Sequence, residues 1–94
     1  MRPEELKLII EEGEGYLVEF KEKLSNIDKE MVSFANGSGG RIFIGITDSG
    51  EIKGIKITNK LKSQIQDIAN NCEPPISIII EELANVLVIH VRPG

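Results

Sequence analysis

The sequence predicts an α+β domain: a mixed β-sheet with helices packed on it, in the order α-β-α-β-β-α-β-β. Three observations predict this. Segments with apolar residues three and four apart interleave with segments that alternate or run continuously apolar. Asn-Gly, Asp-Ser-Gly and Pro-Pro separate them. At 94 residues, 40% hydrophobic and 28% charged, the chain has the balance of one globular domain with its own core.

The elements follow in order. Pro3 suits a first helical position, Glu4 and Glu5 suit the positive end of a helix dipole, and Gly13 is a stop, so residues 3–12 read as a helix. Tyr16 to Lys21 alternates as a strand, with Tyr16, Val18 and Phe20 on one face. Ser25, with Asp28 three residues on, reads as the cap of a second helix. Ile27, Met31, Phe34 and Ala35 form its buried stripe. Arg41 to Thr47 reads as a strand buried on both faces, and Glu51 to Ile57 as its hairpin partner across Asp48-Ser49-Gly50. Thr58 or Asn59 caps a third helix, whose apolar face includes Leu61, Ile65, Ile68, Ala69 and Cys72, which is expected to be buried and inert. Pro74-Pro75 ends it. Ile76 to Ile80 and Val86 to Val91 are the last two strands.

Composition narrows the function. One cysteine excludes an intramolecular disulfide and fits a reducing compartment. No apolar run reaches the roughly 20 residues of a membrane span, and the N-terminus has no signal-peptide core, so the expected location is the cytoplasm with no membrane partner. The net charge of −4 is uneven. Residues 41–62 set Arg41, Lys53, Lys56, Lys60 and Lys62 against only Asp48 and Glu51. If nucleic acid binds, this third of the chain is where the field favours it.

Several residues could carry chemistry. The loop from Asn36 and Gly37 through Gly39 and Gly40 runs from helix to strand, the reverse of a phosphate-binding loop, and lacks the Lys-Ser/Thr pair, so it reads first as a helix C-cap. Glu19-Phe20-Lys21 has the acid-x-Lys form of metal-dependent nucleases, but Glu51-Ile52-Lys53 repeats it. Gly13 and Gly15 allow a bend that could carry Glu14 over Glu19, and Asp48 follows the next strand. If the three carboxylates converge, they favour a hard cation, Mg²⁺ or Mn²⁺. His90 alternates on the last strand and reads as an exposed strand position.

Four segments taken together carry a family resemblance. They are Glu14 to Lys21, Phe34 to Gly40, Gly45 to Gly50 with Gly54, and Val86 to Gly94. They resemble the Schlafen AlbA-like domain, also described as a divergent AAA-associated or DNA-binding domain, over residues 14 to 94. The resemblance implies a module in the N-terminal part of a longer bacterial or archaeal protein: a transcriptional regulator or a relative of ATP-dependent DNA helicases, with ATP binding elsewhere in that chain. Related modules of eukaryotic Schlafen proteins include ribonucleases acting on structured RNA, whose acidic site has two glutamates five apart and an aspartate. Glu14 and Glu19 match that spacing, and Asp48 is the nearest match for the aspartate.

Residues and resemblance together give a non-catalytic, weakly nucleic-acid-binding domain, for DNA or RNA, that needs no cofactor. Its candidate contacts are Lys21, Arg41, Lys53, Lys56, Lys60 and Lys62, with the glycine loop allowing close backbone approach. A metal-dependent ribonuclease built on Glu14, Glu19 and Asp48 is the alternative, and a protein-interaction domain is a third. The chain ends directly after a strand, which suggests that residues 1–94 are a single domain, the N-terminal piece of a longer protein whose C-terminal domains are partners. An unpaired edge along Val86–Val91 would also favour self-association.

Overall fold

A computed structural model describes all 94 residues, Met1–Gly94. Three helices, α1 (Pro3–Glu12), α2 (Ile27–Asn36) and α3 (Asn59–Asn70), surround four strands, β1 (Val18–Lys21), β2 (Gly40–Ile44), β3 (Ile78–Leu83) and β4 (Val86–Val91). The strands form one mixed sheet in the order β1-β2-β4-β3, with β1 parallel to β2 and the other pairs antiparallel. The α+β class and the packing of helices on the sheet are as the sequence predicts. No helix is long and apolar enough to cross a membrane.

Side-chain alternation divides the core between the two faces of the sheet. One face sends Ile42, Ile44, Leu87, Ile89 and Val91 to meet Ile27, Met31, Phe34 and Ala35 of α2 and Ile65 and Ala69 of α3. The other sends Phe20, Phe43, Val86 and Val88 to meet Leu6 of α1, with Ile46 beside them. Phe20 and Phe43, opposite each other in the β1–β2 ladder, pack edge to face at 6.0 Å between ring centres.

Three expectations are revised. Residues 51–57 do not form a hairpin strand; only Ile52 bridges back, to Ile46. The reason is topological: β2 is flanked by β1 and β4, so no edge of it remains for a third partner. The segment folds over the end of β2 instead, with Lys53 N and Gly54 N both donating to Gly45 O at 2.8 and 2.9 Å. The second revision concerns Val86–Val91, which is an interior strand paired on both sides, not an edge. Five of its six residues are buried, which only a central strand allows. Third, β1 begins at Val18, because Gly15 and Val18 close a tight turn on each other and leave Tyr16 81% exposed.

Helix ends differ in detail. Thr58 caps α3 as expected, its Oγ1 accepting from Leu61 N at 3.0 Å. The cap position of α2 is Asn26, in the left-handed region at φ 55° and making no side-chain cap bond, rather than Ser25. Cys72 lies past the end of α3, half-buried, its Sγ donating to Ile68 O.

Candidate nucleic-acid interface

The glycine loop is committed to the fold. Gly37 N and Gly39 N both donate to Phe34 O, at 3.1 and 2.8 Å, which closes the C-terminus of α2. Gly39 has φ +82°, and a Cβ there would sit 2.7 Å from Val91 O. A side chain at Gly40 would run into the Phe34 ring. The close approach that Gly39 and Gly40 allow is to the chain's own β4 end and core. Asn36 and Ser38 remain exposed.

The acidic residues meet in part. The turn at Gly13–Gly15 folds Glu14 back along the free edge of β1, where its Oε2 accepts from Phe20 N at 2.9 Å. Glu19 is turned to the opposite face of β1 from Phe20, where the nearby Glu14 carboxylate favours its protonated form. Burial raises the Glu19 carboxyl from 4.5 to about 7, and the charges of Glu30 and Glu14 add to the rise. Lys21, two residues on, reaches Glu30 of α2 at 3.7 Å. Asp48 is exposed and lines a shallow polar depression with Glu19, Lys21, Lys23 and Ser25. Glu30 is the acid that sequence reading missed, since only the packing of α2 on β1 brings it to Glu19.

That arrangement does not fit Mg²⁺ or Mn²⁺. No three carboxylate, histidine or cysteine groups are placed to hold one ion. Glu14 already spends one oxygen on the β1 backbone, and Glu19 is held toward its neutral form. A hard cation needs several ionised oxygens at once.

The basic residues separate into two groups. Lys21 pairs with Glu30, Lys53 with Glu51 at 3.3 Å and Lys62 with Glu82 at 2.8 Å. Arg41, Lys56 and Lys60 have no carboxylate within ion-pairing distance. Nor do they share a surface. Lys53 and Lys56 follow the C-terminal end of β2, and Lys60 and Lys62 lie on α3, whereas Arg41 stands near the N-terminal end of β2.

Arg41 lies on the α1 face of the sheet, where α1 covers only one half. Ladder register places Val18, Arg41, His90 and Ile79 in one row across β1, β2, β4 and β3. The adjacent row, Phe20, Phe43, Val88 and Glu81, begins the part that α1 covers. In the first row Val18, Arg41 and His90 are half-buried, and Ile79 is 50% exposed. The Arg41 guanidinium carbon lies 5.8 Å from the centre of the Phe43 ring, within cation–π range. His90 Nε2 lies 2.7 Å from Glu81 Oε1, and the other oxygen of Glu81 accepts from the amino group of Met1. Both contacts hold the Glu81 carboxyl below its ordinary range, the bond from the amino terminus contributing most. Glu81 is thus neutralised locally and does not cancel Arg41.

Fold and site together define an α+β module whose sheet is half open and carries an uncompensated arginine. The family model described as "Schlafen, AlbA_2" matches residues 14–94, and the chain belongs to that family. No curated protein matches the chain.

Proposed function

We propose that this domain binds nucleic acid through the sugar-phosphate backbone and serves as the recognition module of a larger regulatory or helicase-related protein. The observation that carries this reading is Arg41. It is a half-buried guanidinium beside Phe43, on the sheet face that α1 only partly covers, with no acidic partner, on a molecule whose net charge is −4. Its contact with Phe43 contributes at most about 1 kcal/mol to stability, and phosphate oxygens match its planar donors. Lys56 and Lys60, both exposed, offer a separate contact elsewhere on the surface. Family membership supports the same reading.

The test is fluorescence anisotropy of labelled single- and double-stranded DNA and RNA as salt is varied. With Arg41 alone engaged the log–log salt slope is expected near about −1, and near about −2 to −3 only for an oligonucleotide long enough to reach Lys56 and Lys60 as well. Arg41→Glu is expected to weaken binding at least about 10-fold, and Arg41→Lys less. Absence of binding at low salt, or binding indifferent to Arg41→Glu, would sink the proposal.

A second reading, phosphodiester cleavage, is favoured by the contact between Glu14 and Glu19 alone. RNA incubated with the domain would be cut by the wild type and spared by Glu19→Gln if that reading holds.

A further inference from the structure

We infer that the outer edge of β3 is a pairing surface for a second copy of this chain, joined antiparallel with Ile80 opposite Ile80 of the partner subunit. β3 is an edge strand, and the alternation of its hydrogen bonds is set at its start. Arg92 N donates to Ser77 O at 3.1 Å, so Ser77 and every second residue after it, Ile79, Glu81 and Leu83, bond inward to β4. The amide and carbonyl groups of Ile78, Ile80 and Glu82 therefore point outward. No turn, loop or side chain of the molecule takes them.

The outward groups select the register. A two-fold partner strand must bring outward residues face to face, because opposed residues of a hydrogen-bonded antiparallel pair exchange both bonds. With Ile80 on the axis all three pair: Ile80 with Ile80 of the partner subunit, Ile78 with Glu82 of the partner subunit, and Glu82 with Ile78 of the partner subunit. Sliding toward Glu82 sets it against Glu82 of the partner subunit, a like-charge opposition. Sliding toward Ile78 leaves Glu82 unpaired. In the favoured register Glu81 lies opposite Ile79 of the partner subunit, so no acid meets an acid. Within each copy, Lys62 already pairs with Glu82, and the amino terminus and His90 with Glu81.

The only charges on the strand, Glu81 and Glu82, already have partners within each copy. Ile78-Ile-Ile-Glu-Glu-Leu83 contains no proline, glycine or lysine, the residues that usually make an edge unreceptive. The opposite edge is different. β1 has only four residues, alternates charged Glu19 and Lys21 with its apolar ones, and has the outward amide of Phe20 stopped by Glu14. Pairing through β3 would make one continuous eight-stranded sheet, with Arg41 and His90 of both copies on the same side.

Sedimentation velocity of the purified chain from about 10 µM to about 1 mM tests this, the range expected for a small edge-to-edge interface. The expected result is a concentration-dependent passage from monomer to dimer. Ile79→Glu, at an exposed position, places a carboxylate opposite Glu81 of the partner subunit and is expected to shift the midpoint at least about 10-fold upward with thermal unfolding unchanged. Ile80→Pro removes one outward amide without removing a β3–β4 hydrogen bond and is expected to shift the midpoint in the same direction, with some loss of stability because Ile80 packs on the core. In a Cys72→Ser background, Ile80→Cys is expected to cross-link under mild oxidation, since paired Cα atoms lie about 5.5 Å apart in such a ladder, while Glu12→Cys does not. A monomer at about 1 mM, a dimer unmoved by Ile79→Glu, or equal cross-linking of both cysteine variants would overturn the inference.

Discussion

The two faces of the sheet are built from the same four strands and finished differently. The face toward α2 and α3 is closed by a cluster of twelve buried residues. The face toward α1 has six, and its far row from Val18 to Ile79 is only partly covered. The difference follows from helix length and number. Ten residues of α1 rise about 15 Å and can cover one half of a twisted sheet, whereas two helices side by side cover all of it. Stability should therefore reside mainly on one face and recognition on the other.

The largest expected effect lies on the closed face. Phe34→Ala should cost about 3–5 kcal/mol, because it empties the space between α2, Gly40 and β4. Urea unfolding that shows a loss under about 1 kcal/mol would mean that this face is not where stability resides. Leu6→Ala on the α1 face should cost less, about 2–3 kcal/mol, since its cluster is half the size and the site can relax toward solvent. An equal or larger loss than for Phe34→Ala would erase the asymmetry.

Glu19 marks the rim of the closed face and gives a pH test. Its folded value of about 7 lies above its ordinary 4.5, so folding favours the protonated form. The associated stability is complete below about 4.5 and is lost as pH rises through about 7. Glu19→Gln is expected to flatten that decline and to raise stability at pH 8 by about 1–2 kcal/mol. Glu81 has the opposite sign: its lowered value contributes stability that is lost on acidification, so the two effects separate along the pH axis. A Glu19→Gln variant with an unchanged alkaline limb would remove Glu19 from this account.

The smallest effect on stability is expected at Arg41. Arg41→Glu should change unfolding free energy by less than about 1 kcal/mol, since the residue has no ion-pair partner to lose and only its contact with Phe43 to give up. Oligonucleotide affinity should fall far more. A large stability loss would show that the open row is structural.

Much of this molecule was legible in the chain because its signals are local. Pro3, the acidic first turn and Gly13 delimit α1, and the Ile27–Met31–Phe34–Ala35 stripe identifies the buried side of α2. Thr58 caps α3 through a bond three residues long. The family itself is written in segments that the sequence presents in order. What only the tertiary structure decided is strand order and everything that depends on it. Val86–Val91 and Ile78–Leu83 are both runs rich in aliphatic residues, yet one is central and the other an edge. Glu81 and Glu82 hint at the edge, but which strands each one meets is settled by the edges that remain free after the other strands have docked. The same holds for the chemistry. Glu14 reaches Glu19 through a short turn that two glycines hint at, but Glu30 joins them only because α2 crosses β1. Arg41 looked like one of a basic group along residues 41–62. The sheet's alternation turned it to the other face, since a side chain's direction in a strand depends on parity and register, which charge composition does not encode.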